Sequence, residues 1–402
     1  MKSFSFSFFC LAILLVPINY QISGIRPTDI FLYLSLFIVL ISGEISISRS
    51  VIFSILSILS VLFISIFVGI YHTNVYNEIG YLFIIKYINI YLYYIVLNSI
   101  LKEKKQFIII NKILFFIFIV LVFWVFIYIF LRNIGVIHGS FRPDFILTNN
   151  WNITGGHLYS AYLSFFLVVY LFYWRSFFLH KFLYSFFIIT TGFTALMLTG
   201  SRGGVLILGI GIFFSQIKQL FSQKQYGVKR IILLFVIILI TGYLQSGYKF
   251  DELYFYNLLD RSTHFQVFDD TSSLARVKKL ETAISELETS GYIFGVGPVS
   301  AQYLFYDGII AIILAHGGLS LLIITAATLF YIFFSVYKSA MPLHVKIVLY
   351  EFIIYYLILN IITDFIFITR NAFPTLVFIY AYWIASSRRI FVEKISLTNQ
   401  EC

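Results

Sequence analysis

Four arginines lie in the polar stretches between long apolar runs. Arg202 stands in "LTGSRGGVLILGIGIFF", which has almost no loop on either side of it. The others are Arg142 in "GSFRPDF", Arg261 in "LLDRSTH" and Arg276 in "SSLARVKKLETAISELETS". A guanidinium group presents a planar fork of N–H donors that binds phosphate oxygens in bidentate fashion. The arginines therefore indicate a phosphate-bearing ligand. The alternative is that Arg202 snorkels to anchor a hairpin and that Arg276 lies on a solvated helix face.

Three further ionisable residues interrupt apolar segments. Asp307 and His316 bracket "DGIIAIILAH", and Lys86 lies in "YLFIIKYINIY". An ionisable side chain at membrane depth is costly, so it is a candidate functional residue by default. Asp307 can instead be a helix-end carboxylate at the interface. Lys86 can either snorkel or face the interior, and the sequence does not distinguish these two possibilities.

The composition is that of a membrane protein. The 402 residues are 60% hydrophobic and 11% charged, with a mean hydropathy of +0.93, whereas soluble domains carry about 25% charged residues. The net charge of +10 resides in short loops, where it sets membrane topology rather than nucleic-acid binding.

Motifs for several familiar chemistries are missing from the sequence. It contains no phosphate loop, HExxH, GxSxG or acidic cluster, so we predict neither a metal nor a cofactor. Cys10 and Cys402 are the only cysteines and do not suggest a disulfide framework.

Apolar runs long enough to cross a hydrocarbon core of roughly 30 Å recur from end to end. We predict an all-α polytopic protein with about twelve transmembrane helices in a single domain, 1–402. The first run resembles a signal peptide without a cleavage site and is interpreted as a retained span. The predicted spans are 5–22, 28–42, 51–70, 79–100, 107–131, 157–174, 182–199, 203–217, 231–247, 317–337, 345–363 and 367–386.

Positive charge predicts the orientation of these spans. If the spans alternate, the basic clusters all fall on one side, which is the cytoplasm. These clusters are 102–105, Arg175 with Lys181, 224–230, Lys338 with Lys346, and Arg388. Both termini are then cytoplasmic. The segments 132–156, 199–202, 248–316 and 363–370 lie on the opposite side, which we call the outer face.

The largest outer segment, 248–316, contains two expected helices. Apolar residues at 274, 277, 280, 284 and 287 share one helical face, so an amphipathic helix capped by Ser272 or Ser273 is expected on the outer surface or over a cavity. The run 300–337 is too long for one span. We predict a short re-entrant-like helix at about 301–315, a break at "HGG" (316–318), and then one true span.

These motifs, in this order, resemble the O-antigen ligase and O-antigen polymerase (Wzy-like) membrane proteins. "LTGSRGGVLIL" is similar to the SRG hairpin of that superfamily. "SLARVKKLETA", "GVGP" and "DGIIAIILAHGGLSLL" are similar to its helix-head arginine, its G-x-G turn and its double-glycine motif. "FRPDFILTNNWNITGGHLYSAYLSFF" resembles the outer loop that leads into a central span. The resemblance covers roughly residues 135–337.

The resemblance implies a set of site residues. Arg202 and Arg276 take the positions of the family's arginines, and Arg142 also lies in a matching loop. Ligases typically carry His-Asn where Asp307 and Gly308 stand here, which favours a polymerase. His316 occupies a position that is often acidic in ligases, and it is predicted to be catalytic together with Asp307 and the arginines Arg202 and Arg276. The remaining candidates for binding diphosphate or glycan are Arg261, Gly203, Gly204, His157 and Lys86.

The resemblance also implies a reaction at the outer face of a bacterial inner membrane. A metal-independent glycosyl transfer would join repeat units carried on undecaprenyl diphosphate into O-antigen, capsule or exopolysaccharide. The arginines would neutralise the departing lipid diphosphate, and Gly203 and Gly204 would let it approach a helix N-terminus. Partners would be the lipid-linked oligosaccharide, the bilayer, and a chain-length regulator and a flippase of the same pathway.

Two other functions stay open at this point. A ligase would transfer the finished lipid-linked polysaccharide to an acceptor. A flippase would move lipid-linked oligosaccharides across the membrane, but it predicts internal repeats and polar residues at mid-membrane on several helices. Apart from Lys86 the sequence has neither feature.

Overall fold

The computed structural model describes residues 2–18, 26–43, 45–73, 75–136, 156–177, 182–199, 204, 207–213, 271–302, 309–362 and 369–388. These residues form helices, short turns and no β-strand, which confirms the all-α class. The helices are α1 (Lys2–Leu14), α2 (Pro27–Ile41), α3 (Arg49–His72), a 3₁₀ turn (Glu78–Gly80), α4 (Tyr81–Ile100), α5 (Lys104–Asn133), α6 (Gly156–Phe177), α7 (Phe182–Leu198), α8 (Thr271–Thr289), α9 (Gly297–Ser300), α10 (Ile309–Lys338), α11 (Leu343–Ile362) and α12 (Thr369–Ser387).

Five of these helices are long and apolar enough to cross a membrane. Within the described residues they are Arg49–His72, Tyr81–Ile100, Lys104–Asn133, Ile309–Lys338 and Leu343–Asn360. Shorter apolar helices lie in α1, α2, α6, α7 and α12. The chain is therefore built as a multi-pass membrane protein. The predicted span 231–247 lies outside the described residues.

The first helix is shorter than the sequence predicts. It ends at Leu14 rather than near residue 22, and a turn follows at 15–17. Pro17 fixes its own backbone angle and disfavours helical geometry in the residue before it, which accounts for the early end. The apolar residues 15–17 therefore lie outside the helix, although they belong to the same apolar run.

Contacts divide the chain into two compact units. The first comprises residues 1–15, 22–110 and 266–402, and α4 is its central helix, with neighbours in α2, α3, α9 and α12. Tyr33 donates a hydrogen bond across the α2–α4 contact to Asn89 Oδ1 at 2.9 Å. On the α12 side, the rings of Tyr93 and Phe373 lie 4.7 Å apart.

The second unit comprises residues 16–21 and 111–265. Its described core is aromatic, because Phe118 of α5 meets Tyr170 of α6 with ring centroids 5.0 Å apart. Gly192 of α7 lies close to the same surface, where an added Cβ would stand 2.8 Å from Leu167 and 3.0 Å from Phe118. Large rings and a small residue thus pack α5, α6 and α7 together.

Hydrogen bonds mark the two opposite ends of the first unit. At one end Asn77, in the α3–α4 connection, donates its N–H to Val299 O at 2.7 Å, so this connection and the 291–302 segment lie together. At the other end Ser50 Oγ donates to Tyr331 OH at 2.8 Å, and Arg388 donates to the carbonyl of Asn98 at 2.8 Å. The alternation of spans predicts that the former set is outer and the latter cytoplasmic, and this orientation stays a prediction.

Candidate functional site

Helix α10 is interrupted at the predicted "HGG" break. Gly318 has φ 59° and ψ −155° inside the helix, which divides it into a short first part and a longer second part. The break leaves the first N–H groups of the second part without helical partners. The carbonyls of Tyr292 and Ile293 satisfy them, since Leu319 N donates to Tyr292 O at 3.1 Å and Ser320 N to Ile293 O at 3.0 Å.

The glycine turn that precedes α9 packs directly against the break in α10. Val296 N donates to Ala315 O at 2.9 Å, which satisfies a carbonyl at the end of the first part. Gly295 and Gly318 approach each other so closely that a Cβ on either would lie within 2.7 Å of the other's backbone nitrogen. The two glycine motifs that the sequence singles out therefore form one interlocked structure.

The same turn is fixed on its other side by α3. Gly297 has φ +75°, and a Cβ there would lie 2.8 Å from Ile66 N. Gly69 of α3 packs equally closely against this segment. A Cβ added to Gly69 would point at Val296 O and lie closer to that oxygen than any real Cβ atom does. The segment 295–300 is thus wedged between α3 and the first part of α10, with Gly297, Pro298, Val299 and Ser300 all buried.

His316 occupies the last turn before the break and is fully buried. Its ring meets Phe83 of α4 edge-on with centroids 5.0 Å apart, and Tyr87 at 6.2 Å. The Tyr87 hydroxyl lies 3.4 Å from His316 Nδ1, and which atom donates depends on the histidine tautomer. The aromatic side chains of α4 therefore fix the imidazole orientation at the break.

Lys86 joins this cluster from the second turn of α4. Its Nζ lies 4.2 Å from the centre of the Phe83 ring, a cation–π contact on the ring that also touches His316. It is near enough to interact electrostatically with His316 and with Asp29 of α2. Asp29 is itself buried and accepts the N–H of Arg26 at 3.1 Å, at the N-terminus of its helix. A cation is therefore placed against an aromatic face, and an imidazole and a carboxylate lie in its electrostatic surroundings.

Helix α8 lies against α10. Ala283 belongs to the same buried cluster as Phe83, Tyr87 and Ala311. The Glu286 carboxylate of α8 accepts the N–H of Gln302 at 2.6 Å, so the backbone directly after α9 is tied to α8. Arg276 also lies on this helix, about two turns before Ala283. Its side chain is outside the described part.

Gly204 has a packing role in the second unit. A Cβ there would lie 2.6 Å from Ser160 Cβ and 3.0 Å from Leu196 Cδ1. Its carbonyl accepts a hydrogen bond from Ser164 Oγ at 2.6 Å. The sequence predicted an approach of an anionic ligand at this glycine. In the structure α6 and α7 fill the side-chain direction of Gly204, so close helix contact accounts for a glycine here. Its role in binding an anionic ligand stays a prediction.

Among the described side chains, the structure brings two of the predicted site residues together. Lys86 and His316 meet through Phe83. His157 lies on α6, with its side chain outside the described part. Five further candidates fall outside the described residues altogether: Asp307, Arg202, Arg142, Arg261 and Gly203.

Sequence reasoning missed the aromatic side of this cluster. Phe83, Lys86 and Tyr87 are spaced by three and four residues, the spacing that places side chains on one helix face. That signal was present in "YLFIIKYINIY" but is common among apolar helices. Asp29 was also missed, because an acidic residue in the first turn of a helix is usually a cap.

Among the described residues no group of three His, Cys, Asp or Glu side chains could hold a metal ion. The chain matches no protein-family model and has no significant match among curated proteins.

Proposed function

We propose that this protein is a membrane glycosyltransferase that polymerises oligosaccharide repeat units carried on undecaprenyl diphosphate, at the outer face of a bacterial inner membrane. About twelve spans and two cytoplasmic termini belong to this proposal. The observation that supports it most is the interlocked break in α10, because the two motifs of the resemblance, "GVGP" and "HGG", meet there through backbone contacts.

The position of the charged residues favours an enzyme at one membrane face over a transporter. Asp29 is in the first turn of α2 and Lys86 in the second turn of α4. Both lie at the end of the first unit that also carries the α3–α4 connection and the 291–302 segment. Transporter sites are expected near the bilayer midplane, whereas a lipid-linked diphosphate lies at the membrane boundary.

The proposed reaction forms one glycosidic bond and breaks one glycosyl–phosphate bond. A hydroxyl of the acceptor's terminal sugar attacks the anomeric carbon of the donor, and the bond to undecaprenyl diphosphate breaks with its electron pair going to the diphosphate. The proton of the hydroxyl passes to the carboxylate of Asp307, which we assign as general base. Arg202 and Arg276 are each proposed as ligands for the departing diphosphate.

His316 has a positioning role in this proposal. Its ring is fully buried against Phe83 and Tyr87, so it contacts the protein rather than a bound sugar. By fixing the end of the first part of α10, it fixes the segment that begins just after Asp307. Lys86 is half-buried, and its ammonium group is proposed to contribute positive charge for the same anionic substrate.

Mass analysis of lipid-linked glycans in a deletion strain tests the function. Single repeat units accumulating on the outer leaflet would support a polymerase. Long polymers left unattached would instead show a ligase, and repeat units trapped on the cytoplasmic leaflet would show a flippase. Complementation with the wild-type chain is the control.

A further inference from the structure

Helix α8 has three distinct faces. Successive residues of an α-helix are about 100° apart, so positions three and four apart share a face. Ala283 and Leu287 are 0% and 6% exposed and face the protein. Lys278, Glu281 and Ser285 are exposed and form a polar face.

The third face is apolar and exposed. Val277, Leu280 and Ile284 are spaced by three and four residues and are 46%, 41% and 41% exposed. We call these three residues the apolar stripe of α8. It lies between the polar face and the face against α10. A helix on the surface of a soluble protein would turn such a stripe inward, so its exposure needs an explanation.

Further exposed apolar residues follow the stripe along the chain and lead to a helix that is apolar enough to span a membrane. Tyr292 and Ile293 follow α8 and are 50% and 56% exposed. Their carbonyls bond the first N–H groups of the second part of α10, so they adjoin Leu319. Leu319 and Ile323 are 43% and 66% exposed on a helix that is apolar enough to span the membrane.

We propose that α8 is an in-plane membrane anchor whose apolar stripe inserts into the lipid at the interface. Such helices bury one apolar face among the headgroups and upper acyl chains and keep a charged face in water. The polar face of α8 then points away from the bilayer, while Ala283 and Leu287 hold the helix against α10. Tyr292 stands at the level where aromatic residues favour the interface. The membrane thereby fixes the depth at which α8, the helix that carries Arg276, lies at the interface.

Spin-label accessibility tests this inference. The full-length chain, with Cys10→Ala and Cys402→Ser, is placed in liposomes of phosphatidylethanolamine and phosphatidylglycerol. Nitroxides are attached one at a time to cysteines at 277, 280 and 284. Matched controls on the polar face carry them at 278 and 285. Oxygen concentrates in lipid and a nickel chelate in water, so the oxygen-to-nickel collision ratio should be severalfold higher on the stripe than on the controls.

Two results would overturn the anchor. Equal ratios at all five positions would show that the stripe faces water. Low collision with both reagents at the stripe alone would show that another protein surface, including a second copy of the chain, covers it. Reactivity of unlabelled Leu280→Cys and Ser285→Cys toward a water-soluble maleimide provides a second measurement, in which only the latter should react rapidly. None of these readouts depends on the proposed enzymatic activity.

Discussion

Replacement of Gly318 by alanine should be among the most damaging single-methyl changes in the first unit. Gly318 has φ 59° and ψ −155°, a region that essentially only glycine adopts. A Cβ there would lie 2.6 Å from both Gly295 N and Ile293 O, whereas ordinary contacts begin at 3.4 Å. Both neighbouring atoms belong to the backbone, so no side chain can rotate away.

The expected cost has two parts. The backbone conformation should cost about 1–3 kcal/mol and the overlap about 1–3 kcal/mol, so Gly318→Ala should lose about 2–6 kcal/mol of unfolding free energy. A folded protein is stable by only about 5–15 kcal/mol. We therefore expect a large shift in the unfolding midpoint and low yield.

Gly43→Ala is the matched control. Gly43 also has a positive φ, +66°, but nothing lies within 4 Å of its Cβ direction. It should show the backbone cost alone, about 1–2 kcal/mol. Unfolding would be followed by tryptophan fluorescence and circular dichroism in mixed micelles with increasing dodecyl sulfate. Equal losses in the two variants would refute the close approach at the α10 break.

Four further predictions concern single sites. Arg202→Lys should reduce polymer synthesis about 10²–10³-fold at normal protein level, because a point charge replaces a bidentate fork. Full activity of Arg202→Ala would show that Arg202 only anchors its hairpin at the membrane interface. Asp307→Asn should abolish polymer synthesis while the lipid-linked substrate still binds. Weakened substrate binding would indicate a positioning role, and wild-type polymer length and yield would exclude both the base role and the positioning role. A cysteine at Asp270 should react with an impermeant thiol reagent in intact cells or spheroplasts and one at Lys224 should not, and the reverse result would invert the topology. Arg388→Ala should cost about 1–2 kcal/mol of unfolding free energy, because Arg388 donates to the carbonyls of Asn98 and Leu101 at the end of α4; an unchanged midpoint would show that solvent replaces these bonds.

The sequence alone determined the class of the protein and most helix positions. The predicted spans 28–42, 51–70 and 79–100 correspond closely to α2, α3 and α4. This agreement has a simple cause, because a membrane requires continuous apolar helices whose backbone groups are satisfied internally. The break at residues 316–318 was also predictable, since two adjacent glycines and a histidine interrupt an apolar run.

The surroundings of the candidate residues were decided only by tertiary structure. Hydropathy scores the transfer of a side chain out of water, and it is the same whether lipid or protein receives that side chain. It could therefore not tell that Phe83 and Tyr87 enclose His316.

Helix α8 shows the same limit. Its sequence predicted one apolar face that included Val277, Leu280, Ile284 and Leu287. The structure buries Leu287 together with the small Ala283 and leaves the other three exposed. Close helix contact depends on small residues and on the shape of the neighbouring helix, and a one-dimensional apolar pattern contains neither piece of information.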